Sequence, residues 1–145
     1  VHFVDKAARE LAEAASGPDT PETLAPVDKN ALDWGVQHEY AALLQYLIHS
    51  FQLMDAECDI SRELEMQAIN EMQHMGWFGE ELAEFGAEMP LEHHGVALPR
   101  TPVEMLEANV RLEQETSAQY RQFMTEMEDP DLKGVVDDAR GQEDR

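Results

Sequence analysis

The sequence predicts an all-α protein, a single four-helix bundle made of two antiparallel helical hairpins joined by a long crossover. Three observations predict it. Apolar residues recur at seven-residue and three-to-four-residue spacing through four segments, no strand pattern competes, and the breaks between segments are short, long and short in turn. With 145 residues, 43% of them hydrophobic, the chain can bury one sizeable core and is too short for two comfortable ones.

Residues 1–27 read as an N-terminal appendage: a helix-favouring stretch over 5–15, then Ser16-Gly17-Pro18-Asp19-Thr20-Pro21 and a loop to Pro26. The bundle domain is placed at 28–145. Its first long helix spans about 28–54, where Leu32, Glu39, Tyr46 and Leu53 stand seven apart beside Val36, Leu43 and Ser50. After a break at 55–58, Asp59 is the expected cap of a second helix. In it Leu64, Glu71, Phe78 and Phe85 repeat at seven, flanked by Ala68, Met75 and Leu82, and the helix ends near Gly86. Residues 86–101 hold two prolines and two glycines and form the crossover.

Thr101-Pro102-Val103-Glu104 then has the form of a capping box with proline at the first helical position. The third helix follows, with Leu106, Glu113, Tyr120 and Met127 beside Val103, Val110, Ser117 and Met124. Asp129-Pro130 ends it, and Leu132, Val135, Val136, Ala139 and Glu143 begin a fourth amphipathic helix that the end of the sequence cuts short. Short links make each helix pair an antiparallel hairpin. About sixteen extended residues reach ~50 Å, enough to run the length of a ~40 Å helix, so the second and third helices can run parallel.

Ten Lys+Arg against 31 Asp+Glu give a formal charge of −21, a field that repels phosphate backbones and anionic membranes, so neither nucleic acid nor lipid is an expected partner. The lone Cys58 excludes an intramolecular disulfide framework and a Cys-only metal cluster, which makes a reducing cytoplasm the default location. No apolar run approaches the ~20 residues of a membrane span, and the first residues lack a basic patch followed by a hydrophobic stretch.

Each heptad column carries a glutamate where the pattern asks for an apolar residue: Glu39, Glu71 and Glu113, with Glu143 in the same relation to Val136. Unpaired carboxylates in a bundle core are costly, so four of them ask for shared cations. Glu71-Met72-Gln73-His74 adds an imidazole three residues on, hence on nearly the same helix face. One carboxylate from each of two helices, plus Glu-x-x-His from each of the other two, is the ligand set of di-iron carboxylate bundles. Hard oxygens bridge two cations while each imidazole fixes one.

Over roughly residues 28–145 the chain resembles the bacterioferritin and rubrerythrin group of ferritin-like proteins. The first long helix, from Glu39 through Gln45-Tyr46 to His49, is similar to the bacterioferritin pattern of a ligand Glu followed by Gln-Tyr and then His. Glu71-Met72-Gln73-His74 is similar to the family's Glu-Met-x-His. Met105-Leu106 with Leu112-Glu113 fits its third ligand helix, and Asp129-Pro130-Asp131-Leu132 leading to Glu143 resembles the start of its fourth. The resemblance implies that Glu71 and Glu143 bridge two metals, that Glu39 and Glu113 are terminal carboxylates, and that His74 holds one ion. A second histidine is expected at the position after Arg145. Tyr46 matches the tyrosine beside such centres, and core packing is its equal alternative. Met72 stands where bacterioferritins carry the methionine that ligates haem across a two-fold interface, although eight methionines are spread through this chain, which weighs against haem.

Plainer readings compete at each position. Glu71 and His74 could be a helix-stabilising pair, but their column is otherwise apolar and Glu39 and Glu113 match it. Glu143 has the more polar neighbours Asp137, Asp138 and Arg140. His93-His94 reads as a solvated pair. His38 points about 100° away from Glu39, and His49 is a candidate neighbour of the centre or pore residue.

The function the resemblance implies is oxidation of Fe2+ by O2 or H2O2 at a centre of two iron ions, manganese being the alternative metal, with iron storage as an extension. A homo-oligomer is expected, either a dimer packing the first two long helices or a larger cage. One rival is a rubrerythrin-type peroxide reductase. That group usually carries a further Glu three positions after the third-helix ligand, where this chain has Thr116, and no Cys-x-x-Cys pair is present for a rubredoxin iron. The other rival is a non-enzymatic helical scaffold with a structural metal.

Overall fold

The computed structural model describes residues 2–14 and 23–143. It contains α1 (His2–Ala14), α2 (Pro26–Leu53), α3 (Cys58–Glu84), α4 (Pro102–Glu126) and α5 (Pro130–Glu143), and no strand among the described residues. The loop expected at Ser16–Pro21 lies outside the described residues, as does everything after Glu143. Among the described residues no helix is long and apolar enough to cross a membrane.

Local chemistry sets the helix ends. Pro26 occupies the first turn of α2, so the helix starts two residues earlier than expected from Asp28. Asp28 instead turns its carboxylate across the bundle and accepts from the N–H groups of Glu128 (2.8 Å) and Asp129 (3.1 Å), which holds the α4–α5 corner against the start of α2. Asp59 is not the cap of α3; the helix starts at Cys58 and takes Asp59 into its first turn, where the carboxylate still favours the helix dipole. Gly86, at φ 71°, supplies the left-handed residue that ends α3. Thr101 caps α4 as expected, accepting from Glu104 N–H at 3.3 Å.

Helices α2 and α4 pair antiparallel. Asp28 meets Glu128, Glu39 meets Tyr120, Gln45 meets Asn109, and Tyr46 meets Glu113. The crossover runs beside α2 in the same direction, with His94 N–H on Gln37 O (3.2 Å) and Ala97 between Gln45 and His49. It therefore carries the chain from the end of α3 back along the bundle, and α3 and α4 run parallel, as the crossover length predicts. At Gly35 the two helices of the first hairpin come so close that an added Cβ would lie 2.7 Å from the Phe78 ring.

Two apolar clusters fill the bundle. One joins Leu32, Val36, Phe78, Leu82, Tyr120, Phe123, Leu132 and Val136; the other joins Ala42, Tyr46, Leu53, Leu64, Ala68, Met105 and Leu112. Between Val36 and Ala42 on α2, and between Ala68 and Phe78 on α3, lie the glutamates that break both columns. Helix α1 buries none of its residues, and Phe3, Val4 and Leu11 stay exposed.

Candidate metal centre

In the gap between the two apolar clusters, Glu39 of α2, Glu71 and His74 of α3 and Glu143 of α5 converge, each offering one ligand atom within 4.8 Å of the others. His74 Nδ1 lies 3.6 Å from Glu39 Oε2, 3.4 Å from Glu71 Oε2 and 3.4 Å from Glu143 Oε1. All four side chains are buried; Glu143 is exposed only through its backbone at the helix end. The i, i+3 spacing places Glu71 and His74 on one face, and the antiparallel run of α3 and α5 brings Glu143 opposite them.

The protein itself does not satisfy this group. Glu39 Oε2, Glu71 Oε2, Glu143 Oε1 and His74 Nδ1 are all buried without a hydrogen-bond partner. Three carboxyl groups facing one imidazole cannot all stay ionised when so deeply buried, so the set must hold protons unless cations replace them. Burial pushes the Glu71 carboxyl up to about 8, helped by the nearby Glu39, and burial likewise pushes Glu143 up to about 8, with Glu71 adding to it against His74. Burial disfavours charge on His74 too, but Glu143, Glu39 and Glu71 outweigh it and hold its proton to about 12. Protons stand where cations would serve better. Hard oxygens with one imidazole fit divalent iron or manganese.

Two tyrosines brace the carboxylates in crossed fashion. Tyr120 of α4 donates to Glu39 Oε1, which leaves Oε2 turned to His74, and Tyr46 of α2 donates to Glu113 Oε1 at 2.7 Å. Burial and these carboxylates raise both phenols well above their ordinary range, so both stay protonated donors. Tyr46 is thus a hydrogen-bonding neighbour of the site as well as core. Tyr120 was not expected, yet it follows Glu113 by seven residues just as Tyr46 follows Glu39.

Glu113 stands apart from the tight group of four. It is half-buried, and with its carboxylate drawn to Tyr46 it lines a cavity of about 220 Å³ shared with Gln67, Asn70, Glu71, His74, Gln142 and Glu143. Met72 projects outward from α3 and is about half exposed, outside the group. His93 is exposed and bonds the His94 carbonyl, while His38 and His49 face the crossover instead of the carboxylates.

On the crossover side of α2 the polar residues complete one another. Ala97 N–H donates to Gln45 Oε1 (2.9 Å), Gln45 Nε2 donates to Asn109 Oδ1 (2.8 Å), and His49 Nε2 donates to Ala97 O (3.0 Å). Burial lowers the pKa of His49 against the pull of Ala97 and Asn109 and keeps it neutral. Burial, with His94 nearby, lowers His38 to about 4.

Residues 29–134 match the ferritin-like domain family. Among solved structures the chain is similar to a dodecameric thioferritin, the bacterioferritin-related protein of Bacteroides fragilis, with a TM-score of 0.70 and 16% identity over 97% of this chain and 86% of that one. That likeness is one of fold. No curated protein sequence matches the chain.

Proposed function

The chain belongs to the ferritin-like domain family, and on that premise we propose that it is a ferroxidase of bacterioferritin-like type, which binds two Fe2+ as substrate and oxidises them with O2 or H2O2. The observation that carries the reading is the four-residue buried group whose facing oxygens and nitrogen have no partner in the protein. Glu39, Glu71, His74 and Glu143 are its ligands, with Glu113 across the same cavity as the further carboxylate. In this reading Glu71 and Glu143 bridge, and Glu39 and Glu113 are terminal. Each Fe2+ supplies one electron, so a pair reduces O2 by two electrons without releasing superoxide.

The protein's own part is electrostatic and positional. Three buried carboxylates stabilise the added positive charge as Fe2+ becomes Fe3+, and they favour the product over the substrate. Tyr120 fixes Glu39 by one oxygen so that the other stays aimed at the site. Loading requires His74, Glu71 and Glu143 to give up the protons they hold in the metal-free state, which the surrounding negative field opposes until the cation arrives. Thr116, where a rubrerythrin-type reductase would place its further glutamate, is buried with its hydroxyl between His38 and Leu112 O, so the ferroxidase reading is preferred.

We also place the chain in a homo-oligomer, a dimer through α2 and α3 or a larger cage, supported by the exposed Phe51, Met66, Ile69 and Met72 on those helices. O2 consumption on Fe2+ addition, with metal content and solution mass on the same sample, tests the whole reading. Two irons per chain and rapid O2 uptake are expected; no iron bound and no uptake would leave only a helical scaffold.

A further inference from the structure

The crossover sets a second nitrogen group against the far side of α2. His38 stacks on Trp34, ring centroids 4.3 Å apart and 12° from parallel. Its Nε2 lies 2.7 Å from Thr116 Oγ1, and its Nδ1 lies 3.2 Å from Nδ1 of His94. The backbone holds His94 in place, since its N–H donates to Gln37 O and Ala97, three residues on, is held by Gln45 and His49.

Thr116 has one hydroxyl proton and gives it to Leu112 O at 2.6 Å. Its oxygen must therefore accept from His38 Nε2–H, which leaves the His38 lone pair on Nδ1, turned to His94. We propose that His38 and His94 form a second metal site, separate from the carboxylate group, for a divalent cation of the zinc type held by the two Nδ1 atoms and completed by water. Zn–N bonds of 2.0–2.1 Å at a tetrahedral angle put two ligand nitrogens about 3.3 Å apart, close to the 3.2 Å between these two. Thr116 is the outer hydrogen-bond partner that orients a ligating imidazole.

The two sites differ in the ions their ligands suit best, although zinc can enter either. Two neutral imidazoles suit zinc or copper, whereas three carboxylates with one imidazole suit iron or manganese. Without metal, the gap between the nitrogens is closed by the proton on His94 Nδ1; on binding, that proton moves to His94 Nε2, so no proton leaves the protein. The ion would clip residue 94 of the crossover to residue 38 of α2. His93 takes no part, because its Nδ1 donates to His94 O at 2.7 Å and its ring lies against Tyr40.

The test is calorimetric titration of the full chain with Zn2+ in Glu71→Ala, which removes a ligand of the carboxylate group, alone and combined with His94→Ala or His93→Ala. A zinc-binding event is expected in Glu71→Ala and in Glu71→Ala/His93→Ala, and at least tenfold weaker in Glu71→Ala/His94→Ala. Equal binding by Glu71→Ala and Glu71→Ala/His94→Ala would overturn the proposal and leave a hydrogen-bonded pair. Zinc should also move the His38 Nδ1 resonance in 15N NMR of the wild type, a readout independent of how any variant folds. A His38 resonance unmoved at saturating Zn2+ overturns the proposal as well.

Discussion

The layer at Glu39, Glu71, His74 and Glu143 and the layer at Gln45, His49 and Asn109 lie within three turns of each other along α2, and both put polar side chains where a bundle expects apolar ones. In the second, donors and acceptors are balanced: an amide, an imidazole and the Ala97 peptide hand hydrogen bonds to one another. The atoms left over there are a donor, Asn109 Nδ2, and an acceptor, His49 Nδ1. In the first, the atoms left over are three carboxylate oxygens and the imidazole that faces them. Balanced polarity fastens a fold, whereas unbalanced charge calls for something from outside.

The sharpest way to break the comparison is Glu71→Ala. Iron oxidation should fall to the rate of free Fe2+ while the helical circular dichroism of the metal-free protein holds; oxidation at the parent rate would sink the site assignment. Next in size is the effect of pH. Glu71 and Glu143 sit at about 8 and His74 at about 12, each above its ordinary value, so the metal-free fold keeps protons that the unfolded chain releases. Stability should therefore be fullest at the acid end and fall as pH rises above about 4.5, through about 8 as Glu71 and Glu143 ionise and on towards about 12 as His74 loses its proton. A bound cation replaces those protons and flattens the profile. Self-repulsion of a chain at −21 acts in the same direction, so the reading is the difference in thermal-midpoint slope between the parent and Glu71→Ala, and equal slopes would count against it.

In the balanced layer, Gln45→Leu strands the Ala97 N–H and Asn109 Oδ1 and should cost about 2–4 kcal/mol in urea unfolding, with iron bound per chain unchanged. A change in iron content there would show that the two layers are one network. The smallest effect separates the two tyrosines. Tyr120→Phe removes a donor from the fully buried Glu39 and should cost about 1.5–3 kcal/mol, against about 0.5–1 kcal/mol for Tyr46→Phe at the half-buried Glu113. Denaturation midpoints in the reverse order would show that Glu113 is the more deeply committed carboxylate.

What the sequence made legible follows the same divide. A glutamate at an apolar heptad position contradicts its surroundings, so Glu39, Glu71 and Glu143 could be picked out before any geometry, and His74 came with Glu71 through helical spacing. The helices and the parallel run of α3 and α4 followed from periodicity and crossover length. Gln45, Asn109 and His38 gave no such signal, because a polar residue facing an irregular segment looks, in sequence, like one facing water. The crossover has no period to betray which side chains it touches. Tyr120 is a different case: its seven-residue step from Glu113 repeats that from Glu39 to Tyr46, and an aromatic in a core column passes as packing unless the two halves are compared. Asp28 could pass for a helix start, and only the antiparallel pairing of α2 and α4 turns it to the far corner.

The fastening of the crossover also orders the assembly of the bundle in time. The partners that complete its contacts, Asn109 for Gln45 and Thr116 for His38, arrive on α4. The first hairpin can form from neighbours in sequence, but the segment around His94–Ala97 cannot be fully secured until the second hairpin docks. Susceptibility of that segment to a protease during refolding would therefore act as a clock for docking, and its protection should rise late, together with the burial of Glu39 against Tyr120.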